Sequence, residues 1–598
     1  MTPDLYIPTA AELANFDARQ LQALAAALRA RLIEVTSTNG GHLASSLGAV
    51  EIILALHAVY DLPTDKLVFD VGHQSYAHKL LTGRDKVFDT LRCFGGLAGF
   101  TRREESPYDT HDSGHASDSL SIALGLALAR DLDGRDEEVI ALIGDASLSG
   151  GLAFEALNQI GQAGTRLTIV LNDNEMSISR NVGALSLHLA KIRMSKSYTA
   201  LRDTVEDRLG AAGRVGRFLV NAGETAKESV KKLVVPGTFF EDMGITYVGP
   251  IDGHNTSVLI EALKTARSAT GPVLVHAVTQ KGRGYTPAEQ RPDIFHGVGG
   301  YAPDTGELAQ ASDDMPSFTA VFSQALLAEA ETRPELVAIT AAMADGTGLA
   351  SFAARHPERF FDVGIAEEHA VALAAGLALG GKLPVVAIYS TFLQRAFDQL
   401  VTNVALQKQH VVFCVDRAGL VGEDGTTHHG LFDLAYLRQI PGMRLVAPAD
   451  AEQLQDALHT ALNFDEGPMA IRYPRGKTVL AVANREPRFL PLGKAICLRE
   501  GADVSLLALG RMVRPALEVA ELLAATGVQA GVYNMLWVKP LDGEAVRAAA
   551  AAPLIVTLEE GTTIGGFGSA VLEELAHLAI SQPRVLTIGI PDTFVTHG

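Results

Sequence analysis

The sequence predicts an α/β protein of three domains, each a doubly wound, mainly parallel sheet. Three observations lead there. Short apolar runs recur along the whole chain, longer amphipathic stretches separate them, and polar, Gly-rich clusters follow at the carboxyl ends of the runs. At 598 residues the chain is too long for a single hydrophobic core.

In chain order, the apolar spacing predicts helices over residues 10–36 and 48–60, the first stopped by Asn39-Gly40-Gly41. A strand follows at 66–71. Residues 138–143 and 166–171 read as buried strands flanking a helix at 150–164, which makes a βαβ unit. Residues 184–235 read as a helical but poorly patterned, mobile and solvated excursion, and the sheet resumes at 272–278. Residues 286–316, rich in Pro, Asp and Gly, read as a linker closing a first domain over 1–310. A second domain over 317–485 carries strands at 336–340, 384–389, 410–415 and 443–448. A third over 490–598 carries strands at 504–509, 528–533, 554–558 and 584–589.

Composition excludes several classes. A net charge of −19 argues against a nucleic-acid partner. No run of about 18 apolar residues is present, so no membrane helix is expected. The acidic N-terminus lacks the pattern of a secretory signal or transit peptide, which predicts a cytoplasmic protein. Cys93, Cys414 and Cys497 are too few for a disulfide framework and lack metal spacing; Cys414, inside an apolar strand, reads as a structural thiol.

The most telling feature is a pair of polar clusters at the ends of the βαβ strands. Gly144-Asp145-Ala146 ends one strand, and Asn172-Asp173-Asn174 ends the next, about 30 residues later, the length of one such unit. Parallel strands bring both clusters to one sheet edge. Asp and Asn oxygens suit a hard cation such as Mg²⁺. Backbone amides near Ala146 and Ser147, at a helix start, suit a phosphate. Together these describe a metal–diphosphate site. The pattern resembles the thiamine diphosphate motif, with Ala146 standing where that motif usually has glycine.

The second domain offers further chemistry. Glu367 and Glu368 open a helix directly after a strand. Helix-start capping explains one of them well and a strand-end site less well. Phe392 follows an apolar strand, with Tyr389 and Arg395 beside it in sequence. The Gly-rich loop 416–433 offers Arg417, Asp424 and His428, and residues 472–476 offer Arg472 and Arg475. Arginine suits bidentate phosphate recognition, so Arg417 and Arg475 are expected to form a phosphate clamp.

Twelve blocks spread over essentially the whole chain resemble the 1-deoxy-D-xylulose-5-phosphate synthase family of transketolase-like thiamine diphosphate enzymes. Among them are GGHLASSLGAVE (40–51), FDVGHQSYAHKLLTGR (69–84), GHAS (114–117), GDASLSGG (144–151), LNDNEMSIS (171–179), TQKGRGY (279–285), DVGIAEEHAV (362–371) and RYPRG (472–476). VGPIDGH (248–254) and DRAGLVGEDGTTH (416–428) are the blocks specific to this synthase. The resemblance implies two thiamine diphosphate-binding folds followed by a transketolase C-terminal-like domain. It implies a transferase of aldehyde or ketone residues that condenses pyruvate with D-glyceraldehyde 3-phosphate and releases CO2. The product, 1-deoxy-D-xylulose 5-phosphate, begins the methylerythritol phosphate route to isoprenoids and also feeds thiamine synthesis.

The same resemblance assigns residues. Asp145 and Asn174 would ligate Mg²⁺ through side chains and Met176 through its carbonyl. His73, Gly114, His115, Ala116, Ala146, Ser147 and Lys281 would approach the diphosphate. Glu367 would contact the pyrimidine ring, with Glu368 the alternative, and Phe392 would stack on that ring. His42, His296, Tyr389, Arg395, Arg417, Asp424, His428 and Arg475 would surround the substrates. Proton transfer would fall to His42, His73, His428 and Asp424, and which histidine does what stays open. A homodimer is expected, with the active site between the first and second domains of one subunit. The chain stops at FVTHG, where family members continue further, and the active site is expected to be unaffected. A transketolase shares fold and cofactor and is the alternative; a 2-oxoacid dehydrogenase component, a nicotinamide dehydrogenase and a non-catalytic relative are disfavoured.

Overall fold

The computed structural model describes residues 6–176, 182–193, 238–309, 315–478, 485–581 and 583–598. They fall into two compact units, 1–310 and 311–598.

The first unit holds a five-stranded parallel sheet in the order Lys66–Phe69, Val139–Gly144, Thr168–Asp173, Val273–Val278, Thr246–Asp252. Alternate residues of one strand feed two different cores. Ile140 and Leu142 pack with the helices Ala18–Asn39 and Val50–Val59, whereas Val139, Ala141 and Ile143 pack with Ser119–Leu132 and Gly151–Ala163. Burial on both faces is why these strands read as continuous apolar runs.

The second unit holds two sheets. The larger runs Trp537–Lys539, Arg444–Val446, Met469–Arg472, Val412–Asp416, Leu383–Tyr389, Leu336–Thr340, Phe360–Asp362. The smaller runs Ile496–Arg499, Ala530–Asn534, Val504–Ala508, Leu554–Thr562, Arg584–Ile590. Each is parallel except at one edge pair. Leu507 and Ile555 of the smaller sheet, with Met535 just after one of its strands and Phe567 on the helix Phe567–His577, share a core with Ile339, Val386 and Phe413 of the larger one.

The α/β class with three mainly parallel sheets is the one the sequence predicts, and several local expectations need correction. The helix expected over 10–36 is two, Ala10–Leu13 and Ala18–Asn39. Asp17 starts the second through a reciprocal capping box, accepting from Gln20 N while the Gln20 side chain accepts from Asp17 N. The helix expected over 48–60 is likewise Leu43–Gly48 and Val50–Val59. Residues 286–309 are no linker. Phe295, Val298 and Tyr301 are buried in the first unit's core, and Val298 bridges to Gly41. The turn-rich composition hid three well-spaced apolar anchors. Of the expected excursion, 184–193 is a helix that buries Leu189 and Ile192; residues 194–235 lie outside the described residues.

Candidate active site

In the first unit, strand ends carry the polar clusters to one sheet edge. Gly144 pairs in register with Asn172 across adjacent parallel strands. Asp145 then opens the short helix Asp145–Leu148, and its Oδ2 accepts from Glu175 N at 3.0 Å. That bond sets the Asp145 carboxylate against the 173–176 turn, where Asn174 Oδ1 accepts from Met176 N at 3.2 Å. Glu175 holds φ 66°, a left-handed conformation that is rare outside glycine and marks stored strain.

The electrostatics of this turn are unbalanced. Burial and the adjacent Asp173 push the Asp145 carboxyl well above the usual range. Burial also acts on Asp173, but the His276 hydrogen bond and the Arg193 charge outweigh it and hold it near about 2. His276 Nε2 meets Asp173 Oδ2 at 2.8 Å, Tyr247 OH meets His276 Nδ1 at 2.7 Å, and Arg193 pairs with Asp173. Sequence reasoning missed all three residues, because His276 and Arg193 reach Asp173, and Tyr247 reaches His276, only through folding. Among the described residues no three His, Cys, Asp or Glu side chains cluster as a metal site. The expected donors, one carboxylate, one amide and one backbone carbonyl, would leave room for the waters and phosphate oxygens Mg²⁺ prefers.

Gly114, His115 and Ala116 are held beside this turn by a device the sequence did not reveal. Asp70, buried at the end of the first strand, accepts from Ser117 N through both oxygens at 3.0 Å and from Ser119 N at 3.3 Å. Ser117 Oγ donates to Ser147 O at 2.7 Å, which lays the 114–117 loop along the turn of Ala146 and Ser147. Val71 and Ser117 both hold positive φ, 60° and 75°. For a β-branched valine that is a genuine outlier.

Three predicted histidines meet. His42, His73 and His296 form a triangle of ring centroids 5.5 to 6.2 Å apart. Lys281 Nζ donates to His296 Nδ1 at 3.0 Å, which leaves the imidazole proton on Nε2. Burial, with Lys281 adding to it, holds His296 well below the ordinary histidine value; burial and His42 do the same for His73. Burial lowers Lys281 itself to about 8, against the opposing pull of Asp145. His73 Nδ1 is buried with no hydrogen-bond partner among the described residues. Held neutral, the His73 and His296 imidazoles each offer one donor and one acceptor nitrogen to a bound group.

In the second unit, Glu367 begins the helix Glu367–Leu379 and is 3% exposed. Its Oε2 makes no hydrogen bond among the described residues, and Arg395 lies 3.8 Å away. Burial raises the carboxyl to about 7; Arg395 only partly opposes it. Glu368 is not buried, so the two glutamates are physically unlike. Tyr389 stacks on Phe392 at 5.7 Å, His428 meets Phe392 edge-on at 5.6 Å, and the Arg417 guanidinium lies 3.9 Å above the Tyr389 ring. These four residues are therefore one cluster. Arg475 instead donates to Val421 O at 2.7 Å and Glu423 Oε2 at 3.0 Å, tied to the same loop that carries Asp424 and His428. Arg472 is committed to a buried pair with Asp433.

The residues present fit thiamine diphosphate and a divalent cation. A buried carboxyl with an orphaned oxygen suits a ring nitrogen. A raised carboxyl beside a second carboxylate suits a cation, and the start of the short helix Asp145–Leu148 suits a phosphate.

Residues 6–279 match the 1-deoxy-D-xylulose-5-phosphate synthase family, 314–479 the transketolase pyrimidine-binding domain, and 493–598 the transketolase C-terminal domain. The 1-deoxy-D-xylulose-5-phosphate synthase of Desulforudis audaxviator is 52% identical over 97% of this chain and 91% of its own length. That of Carboxydothermus hydrogenoformans is 52% identical over 97% of this chain and 92% of its own. A transketolase of Campylobacter jejuni is 20% identical over 98% of this chain and 96% of its own, with a TM-score of 0.40. Identity near one half over almost the full length of both chains establishes that this chain belongs to the 1-deoxy-D-xylulose-5-phosphate synthase family.

Proposed function

We propose that this chain makes 1-deoxy-D-xylulose 5-phosphate from pyruvate and D-glyceraldehyde 3-phosphate, releasing CO2, and that the residues described above do the work. Family membership supports the reaction. The observation that carries the residue assignment is the buried, orphaned Glu367 carboxyl. Bound thiamine diphosphate supplies a nucleophilic carbon and an electron sink for loss of the pyruvate carboxyl.

Asp145, the Asn174 side chain and the Met176 carbonyl would hold Mg²⁺, which would offset phosphate charge. Gly114, His115, Ala116, Ala146, Ser147, His73 and Lys281 receive the diphosphate. Glu367 can hold a proton at Oε2, and its value near neutrality would let it exchange that proton with a bound pyrimidine ring. Phe392 supports the same ring. His42, His73 and His296 move protons at the carbonyl and hydroxyl oxygens of the substrates, and Asp424 and His428 face the second substrate. Arg395 keeps Glu367 in place, and Arg417 and Arg475 bind the aldehyde's phosphate. Mg²⁺ dependence, a homodimer and a cytoplasmic location follow from the family reading; no described helix is long and apolar enough to cross a membrane.

The test is CO2 release from pyruvate with thiamine diphosphate and Mg²⁺, with and without D-glyceraldehyde 3-phosphate. Release that accelerates with the aldehyde and yields deoxyxylulose phosphate is the expected result. Turnover of xylulose 5-phosphate with ribose 5-phosphate, without CO2, would make the chain a transketolase.

A further inference from the structure

The loop 417–430 is braced from the smaller sheet of its own unit. Leu420 N donates to Glu560 Oε1 at 3.0 Å, and Thr562 N donates to Leu431 O at 2.9 Å. Beyond the last strand, residues 595–598 run along the loop. Thr426 Oγ1 donates to Val595 O at 2.9 Å, and Gly598 N reaches Gly422 O at 3.4 Å. Gly425 must be glycine twice over: its φ is 70°, and a Cβ would meet His597 Cβ at 2.7 Å.

His429 joins this brace to the loop's interior. It is 5% exposed, and both ring nitrogens are committed. Nδ1 accepts from Val421 N at 3.0 Å, so the proton sits on Nε2, which donates to Thr596 O at 3.2 Å. The opposite side of Val421 continues the chain of bonds, because its carbonyl accepts from Arg475 Nη1 at 2.7 Å. A relay therefore runs from Thr596 through His429 and Val421 to the guanidinium of Arg475. Burial lowers the His429 pKa, which suits the neutral tautomer this relay requires.

We propose that His429 is a positioning residue for the phosphorylated aldehyde: by tying Val421 to residues 595–598, it sets the position of Arg475. The proposal rests on the reading of Arg475 as a phosphate ligand. Its neighbour His428 points instead to the Phe392 ring and would meet substrate. Adjacent histidines thus divide into one that faces the chemistry and one that holds the loop.

Steady-state kinetics of the holoenzyme test it. His429→Ala should raise KM for D-glyceraldehyde 3-phosphate about tenfold. KM for pyruvate, and KM for unphosphorylated D-glyceraldehyde, should stay within about twofold, because neither uses Arg475. His429→Asn keeps an acceptor for Val421 N but cannot reach Thr596 O, so it should behave like the alanine variant. Thr426→Val removes a parallel tie and should give a smaller rise in the same direction, which keeps the test open if His429→Ala folds poorly. Arg475→Ala serves as the reference. If it raises KM for the phosphorylated aldehyde while the His429 variants do not, the positioning role is wrong and the phosphate reading stands. If Arg475→Ala has no effect either, the phosphate reading itself fails. A wild-type His429→Asn enzyme would overturn the tie to Thr596, and equal losses with phosphorylated and unphosphorylated aldehydes would reduce His429 to a general structural residue.

Discussion

Asp145 and Glu367 are the same kind of group in the same kind of place, a buried carboxyl following a parallel strand, yet their surroundings balance them in opposite ways. Burial raises both. Beside Asp145 stands a second carboxylate, Asp173, whose charge raises it further. Beside Glu367 stands Arg395, 3.8 Å away, which opposes the rise without cancelling it. What relieves each is therefore different. A pair of carboxylates at a strained turn is relieved by a cation. A lone carboxyl near neutrality, with one oxygen unbonded, is relieved by a proton or by a single donor. The neighbours, rather than burial, decide which ligand each carboxyl suits.

Substitutions should separate the two. The largest effect belongs to Glu367→Gln, which keeps the shape and removes the titratable proton: kcat should fall about 10³-fold, within the usual range for a general acid or base. A fall below about tenfold would show that Glu367 does not perform the proton transfer. Next is Asp145→Asn. The Mg²⁺ concentration giving half-maximal activity should rise about 10- to 100-fold, and a variant with unchanged metal dependence would exclude Asp145 as a ligand. Arg417→Ala should act more weakly and on one substrate only, raising KM for the phosphorylated aldehyde several-fold and leaving pyruvate alone.

The smallest effect is on stability, and its sign runs against that on activity. The folded Glu367 carboxyl titrates near about 7, above its ordinary value, so the native state favours the protonated form. Stability from that source is present at low pH and is lost as pH rises towards 7. The Gln variant cannot ionise. It should match the wild type below about pH 4.5 and be the more stable of the two above pH 7, by about 3 kcal/mol, with a correspondingly higher unfolding temperature. Thermal unfolding of both apoproteins across that window checks it; a gap that stays constant with pH would mean that the carboxyl titrates elsewhere.

Much of this was legible in the chain. The apolar runs ending in Gly144-Asp145 and Asn172-Asp173-Asn174 locate two adjacent strands, and period and length alone place both clusters at one edge. Edge strands were harder. Thr246–Asp252, Ile496–Arg499 and Trp537–Lys539 are short, interrupted or exposed on one side, and they escaped notice. Trp537–Lys539 pairs antiparallel with Arg444–Val446, so a strand from the last part of the chain completes the sheet of the part before it. No local pattern announces such a pairing.

The sequence by itself determined the α/β class, the strands buried on both faces and the residue types at their carboxyl ends, because period, length and composition act over a few residues at a time. It singled out Asp145, Glu367, the three histidines and the arginine-bearing loop as candidates for the chemistry. Only the tertiary structure decided their states. Arg193 and His276 lower Asp173 while Asp145 rises beside it. Asp70 fastens the 114–117 loop to the Ser147 turn, and Arg475 answers through Val421 and His429 to Thr596. A pKa or a hydrogen-bond relay depends on what lies within a few ångströms, and those neighbours come from positions far apart in the chain.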